Sequence, residues 1–156
     1  MILFKDENRL DEALSDLKER HPENLGLVST DIPLISNLNV WLNIALIRLY
    51  HLSESRLQAK RRVVGLLNRF QKREIAGLRI SALDHWERYL VKLLRAAMVQ
   101  DALIVIDRPF RLVPDLPDAE LIENSLNRID DLYFSCRIFD YSWNQDRYRI
   151  KDVSES

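Results

Sequence analysis

The chain has 156 residues, 47% of them hydrophobic, with 23 basic and 24 acidic side chains and a formal net charge of −1. These totals suit one folded domain with a core of its own and exclude wholesale disorder. No apolar run approaches the roughly 20 residues that span a bilayer, and the balanced charge demands no nucleic-acid partner.

The amino terminus, MILFKDENRLDEAL, is too acidic and too short in its apolar part to read as a secretory signal. Met1 to Phe4 can form a short strand. Glu7 to Arg20 then carries Leu10, Leu14 and Leu17 at helical spacing, with Asp6 or Asn8 as cap and His21-Pro22 as the stop. A brief strand at 25–28 and a loop at 29–33 follow. Asn39 caps a helix from Val40 to His51 that is apolar nearly all round, so it is expected to be buried or docked on something.

Ser53 opens a second cap signal, and the pattern predicts a long helix from about Glu54 to Lys72, with a break near Gly77. Its outer face carries Arg56, Lys60, Arg61, Arg62, Arg69, Lys72 and Arg73. A solvated face explains that run better than a nucleic-acid patch does.

The chain is organised around residues 83–110. Leu83, Trp86, Leu90, Leu93, Leu94 and Ala97 predict a helix. Ala102 to Ile106 is a short apolar run rich in β-branched residues, the pattern of a strand covered on both faces of a parallel sheet. Asp107 ends that strand, Arg108-Pro109 breaks it, and in open α/β sheets chemistry sits at such strand ends.

A loop at 111–117 leads to a helix from Ala119 to about Ile129. It is capped by Asp118, with Leu121, Ile122, Leu126 and Ile129 inward. Leu132 to Phe139 reads as a buried strand, 140–145 as loop, 146–153 as an edge strand, and the tail as frayed. The order predicts an α/β fold: a small, mainly parallel sheet with an inserted helical part.

Other chemistry is sparse. His21, His51 and His85 lack metal spacing. Cys136 is the only cysteine, so no internal disulfide or cysteine zinc site can form, and a reducing cytoplasm is expected. Mid-strand among apolar neighbours, it reads as a buried small hydrophobe. Asp130-Asp131 reads as a solvated acidic pair.

Taken in order, several segments resemble one family, the ATP-binding subunits of ABC transporters. LGLVSTDIPLISNLNVWLNIAL (25–46) resembles the segment around their Q-loop, and LDHWER (83–88) stands where they carry the signature LSGGER. Arg95-Ala96-Ala97 resembles ARAL, ALIVIDRPF (102–110) resembles LLLLDEPF, YFSCRIFD (133–140) resembles the strand ending in THD, and DRYRI (146–150) resembles the segment after it. The resemblance spans nearly the whole chain. It implies a single ABC-ATPase-like domain over 1–156, with a helical subdomain at about 37–98, part of a P-loop NTPase fold.

The departures carry the functional content. The 156 residues hold no glycine-rich loop ending in Gly-Lys-Ser/Thr, and the resemblance implies an N-terminally truncated relative that begins past that loop. Thr30 stands for the Q-loop glutamine, Asp84 for the signature serine, and His85 and Trp86 for its paired glycines, with Glu87 following. Side chains at those glycines block close backbone approach to a phosphate. Arg108 stands for the catalytic glutamate and cannot act as a general base, Phe139 stands for the switch histidine, and only the metal-side Asp107 is kept.

The resemblance therefore implies a protein that hydrolyses no ATP and needs no cofactor or metal. It would bind a membrane permease or an ATPase subunit, or itself, on the cytoplasmic side and peripheral to the membrane. By the same resemblance, Ile32, Leu34, Leu38, Trp41 and Tyr50 are candidate partner contacts; for Trp41 and its neighbours a plain core role is the slightly stronger reading. Two alternatives stay open: a nucleotide half-site completed by a partner ATPase subunit, and an unrelated small interaction module.

Overall fold

The computed structural model describes residues 1–148. Four strands, β1 (Ile2–Phe4), β2 (Leu25–Val28), β3 (Ala102–Asp107) and β4 (Tyr133–Tyr141), form one sheet in the order β1-β4-β3-β2, and every pairing is parallel. The predicted α/β fold is therefore present, and β3 is buried along its whole length, as its unbroken apolar run requires. Between Ala102 and Leu103 the register slips by one residue, which leaves Phe134 of β4 opposite no partner and 85% exposed.

Helix α1 (Glu7–Arg20) crosses one face of the sheet. Its Leu10, Leu14 and Leu17 meet Leu103 and Val105 of β3 and Phe139 and Tyr141 of β4. The other face carries the larger core. There α2 (Val40–His51), α3 (Arg56–Arg69), α4 (His85–Ala97) and α6 (Glu120–Asn127) pack over Ile104, Ile106 and Ile138. The helices inserted between β2 and β3 thus lie on one side, and α1 lies alone on the other.

Close approach fixes how α4 sits. A Cβ at Gly26 of β2 would lie 2.6 Å from the carbonyl oxygen of Ala96, so only glycine lets this strand and helix meet. Asn43 of α2, 1% exposed, pins the preceding loop. Its amide accepts from Ile35 N–H and donates to the carbonyls of Ile35, Leu38 and Asn39.

Several boundaries differ from the sequence reading, each for a local reason. The long helix begins at Arg56 with Ser55 as cap, because Ser53 is in the left-handed region (φ 49°). It ends at Arg69 rather than Lys72. Gln71 adopts φ 56°, and the Lys72 N–H returns to the Leu67 carbonyl, a Schellman closure made without glycine. Gly77 is not the break. Helix α4 starts after Asp84, which is its cap.

The expected loop at 111–117 opens with a helical turn, α5 (Pro109–Leu112), because Arg108 turns the chain at φ 50° and Pro109 suits a first helical position. Asp118 accepts from Glu120 N–H, so α6 starts one residue later than expected, and Leu121 is 49% exposed rather than inward. β4 runs on to Tyr141. Ser142–Tyr148 is 3-10 helix, which replaces the expected loop and the start of the last strand; 149–153 lie outside the described residues.

Candidate functional site

The carboxyl ends of the strands converge where an open α/β sheet places its chemistry. At the end of β3, the Asp107 carboxylate is 2% exposed and both its oxygens are taken. Oδ1 accepts from Arg108 Nε at 2.7 Å, and Oδ2 accepts from Ser29 Oγ at 2.8 Å and from an Arg108 Nη at 3.1 Å. This fork-on-carboxylate geometry is the strong form of a charged hydrogen bond.

Arg108 is itself buried, 3% exposed, and held from every side. Its backbone N–H donates to the Phe139 carbonyl at 2.7 Å, and its guanidinium donates to Tyr141 Oη at 3.1 Å. Three more carboxylates approach it: Glu7 and Asp11 of α1 at 3.6 Å, and Asp31 after β2 at 3.8 Å. Burial works against the charge, yet the hydrogen bonds to Asp107 and Tyr141 outweigh it and hold the guanidinium above its ordinary pKa. Arg108 is thus a cation at the centre of four carboxylates, two of them from the first turns of α1.

The supports of this cluster come from other elements. Lys92 of α4 donates to the Ser29 carbonyl at 2.8 Å; burial, then the neighbouring Arg95 charge, lowers its pKa. Arg95 donates to the carbonyls of Pro33 and Ile32, and burial lowers its pKa too. Beside the cluster a cavity of about 340 Å³ is lined by Arg108, Phe110, Arg111, Asp140, Tyr141 and Trp143. Tyr141 and Trp143 stack there at 4.1 Å.

The residues singled out in sequence separate into groups. Asp107 and Arg108 form the centre. Phe139 is core: 2% exposed, edge-on to Phe4 at 5.0 Å. Thr30 is exposed, and its neighbour Ser29 is the residue that reaches Asp107.

Asp84 and Glu87 form a capping box, with Asp84 Oδ1 accepting from Glu87 N–H and Glu87 Oε1 from Asp84 N–H. Glu87 also pairs with Lys72 at 3.3 Å. His85 is exposed, and Trp86 lies against Tyr89 at 5.1 Å. This end of α4 stands about 12 Å along the helix from Lys92 and makes no polar contact with Asp107 or Arg108.

The candidate partner contacts also divide. Ile32, Leu34 and Leu38 are half-buried in the loop that Asn43 pins. Trp41 is 6% exposed and belongs to the core, the role the sequence favoured for it. Tyr50 is 78% exposed but stands at the far end of α2, about 16 Å along its axis, and is not brought together with the other three.

The sequence reading missed Ser29, Tyr141, Glu7, Asp11 and Asp31. Glu7 and Asp11 were legible as an i, i+4 pair on one helix face, and Tyr141 by its parity with Phe139; that they meet at Arg108 was not.

No family model matches the chain, and no curated protein sequence matches it. Solved structures do. The chain is similar to the dimeric form of the bacterial ABC transporter cassette MJ0796, with 17% identity, 86% of this chain and 58% of that chain covered, and a TM-score of 0.57. It is similar to a post-hydrolysis state of the same ATP-binding cassette bound to ADP and Pi, at 16% identity, 82% and 56% coverage and a TM-score of 0.57. The fold resembles an ABC ATPase cassette. The match covers 58% of the cassette's length, and at this identity the likeness speaks for the fold alone.

Proposed function

We propose that this chain is an ABC-ATPase-like protein that does not hydrolyse ATP and acts as a binding or regulatory partner of a transporter permease or an intact ATPase subunit. One observation carries the reading: the Asp107 carboxylate, the group that a metal-dependent ATPase would turn to its magnesium ion, is closed by the chain's own Arg108 and Ser29. The Asp107 side chain is 1% exposed. Among the described residues no group of three or more His, Cys, Asp or Glu side chains is placed to hold a metal ion.

The residues present do not fit a magnesium–nucleotide complex in two further respects. A phosphate loop joins a strand to a helix through a long glycine-rich turn. Here β1 and α1 stand in strand–helix sequence, and only Lys5 and Asp6 join them. Two residues cannot wrap a phosphate. The helix start is already served by an anion, since Asp6 accepts from Arg9 N–H at 2.9 Å. At the start of α4, Asp84 caps the helix where a signature serine would stand.

The binding half of the proposal rests on the half-buried apolar loop around Ile32, Leu34 and Leu38. Beside it a cavity of about 310 Å³ is lined by Leu25, Leu27, Ile32, Ile47 and Val99 among others. Titration calorimetry with magnesium and ATP is expected to give no heat of binding in the micromolar range, and phosphate release is expected at the buffer rate. Micromolar binding or turnover would remove the reading. The partner half is tested by adding the chain to a purified ATPase subunit, alone and with its permease: a saturable change in hydrolysis rate is expected, and an unaltered rate at every ratio counts against it.

A further inference from the structure

We propose that the tip of the α2–α3 hairpin is a docking surface for an anionic lipid bilayer. This goes beyond the partner role above and does not depend on it.

The hairpin turns through Leu52–Ser55, with the N–H groups of Leu52 and Glu54 both bound to the Arg48 carbonyl. Around the turn three large apolar side chains stand in solvent: Tyr50 at 78%, Leu52 at 45% and Leu57 at 59% exposure. Leu57, Lys60 and Arg61 share one helix face at i, i+3 and i+4, so the leucine is flanked by cations. Residues 48–62, RLYHLSESRLQAKRR, carry five basic side chains against the single acidic Glu54.

Glu54 is already engaged by Arg62 at 2.8 Å and Arg48 at 4.0 Å. Arg56, Lys60 and Arg61 have no carboxylate partner among the described residues. Buried Trp41 lies under two of them, its ring 5.3 Å from the Arg56 guanidinium and 5.7 Å from the Lys60 ammonium, which fixes where these charges stand.

This composition fits a lipid surface better than a nucleic acid. Leucines beside lysine and arginine enter the headgroup region of a bilayer and contribute nothing to a phosphate backbone, and tyrosine suits the same interface. Charge is also segregated across the fold. Helix α1, on the opposite side of the sheet, shows solvent a face of Asp11, Glu12, Asp16 and Glu19. An anionic surface would therefore orient the molecule with α3 toward it and α1 away.

The test is co-sedimentation of the purified chain with vesicles of phosphatidylcholine alone and of phosphatidylcholine with phosphatidylglycerol, at low and high salt. Binding is expected only to the phosphatidylglycerol vesicles and is expected to fall as salt rises. Near an anionic surface each basic side chain strengthens binding about five-fold, so the triple variant Arg56→Gln, Lys60→Gln, Arg61→Gln is expected to lose about a hundred-fold.

Tyr50→Ser with Leu57→Ser should also weaken binding, while Glu12→Gln with Glu19→Gln on α1 should not. All these positions are exposed, so unchanged circular dichroism and melting mark folded variants. The proposal is overturned by no binding to phosphatidylglycerol at low salt, by equal binding to phosphatidylcholine, or by a triple variant that still binds. It is also overturned if duplex DNA or polyglutamate binds the hairpin while the Tyr50/Leu57 variant keeps full vesicle affinity, which would make this a general polyanion patch.

Discussion

At the residue scale, the balance between Asp107 and Arg108 sets the strand-end cluster. Each is buried, and each satisfies the other. Removing the cation alone would leave a carboxylate in a dry site with one hydroxyl donor, so Arg108→Ala is expected to cost about 3–5 kcal/mol in urea unfolding. The neutral pair Asp107→Asn with Arg108→Gln should cost less than the sum of its single variants, because no lone charge remains. Arg108 also holds a left-handed backbone, φ 50°, where a Cβ is strained. Arg108→Gly should therefore be about 1 kcal/mol more stable than Arg108→Ala, although both lose the ion pair. Equal stability of these two variants would show that the backbone strain is absent. Elsewhere on β4, burial pushes the Cys136 thiol up to about 11, in keeping with a packing role rather than a reactive one.

At the scale of elements, two glycines show how one substitution changes sign with context. Gly26 lies where β2 meets α4, with the Ala96 carbonyl 2.6 Å from any added Cβ. Backbone cannot yield cheaply there, so Gly26→Ala is expected to destabilise by about 1–3 kcal/mol. Gly65 sits inside α3 with nothing within 4 Å, and Gly65→Ala should stabilise by about 0.5–1 kcal/mol through helix propensity alone. Denaturant unfolding of both variants checks the pair; the same sign for both would refute the packing argument. The element core was legible in sequence: α1, α2, α4 and the β3 run follow from periodicity and caps. The ends of α3 and α6 were not, because they are set by the left-handed residues Ser53 and Gln71 and by an Asp118 turn, which leave no signature in hydrophobic spacing.

At the scale of the whole molecule, the inserted helices and the sheet are tied by more than apolar packing. Arg69 at the end of α3 grips Asp131 before β4 through two bonds of 2.6 and 3.0 Å, and the Arg69 and Arg128 guanidinium groups each donate to the other's carbonyl. The hydrogen bond from Arg69 holds the Asp131 carboxyl below its ordinary value of 3.8. A lowered folded-state pKa contributes stability above that ordinary value and loses it as pH falls through the depressed one. The pair is exposed, so Arg69→Gln is expected to cost less than about 1 kcal/mol near neutrality. The difference from the parent chain should vanish in acid. Thermal melts of both proteins across that range test it, and a gap that widens in acid would contradict the assignment.

The sequence alone determined the fold class, the position of Asp107 at a strand end, and the absence of a glycine-rich phosphate loop from these 156 residues, because hydrophobic period and residue type are local properties. Only the tertiary structure decided what stands at that strand end. Glu7 and Asp11 from α1, Ser29 and Asp31 after β2, and Tyr141 from β4 are far apart in the chain and meet at Arg108 only because four parallel strands end together. Likewise, the basic residues from Arg56 to Arg73 were visible as a run. Which of them are neutralised by Glu54, Glu87 and Asp131, and which remain beside exposed leucines, depended on how the helices pack. Contacts between distant residues follow from the path of the whole chain, and no local pattern encodes them.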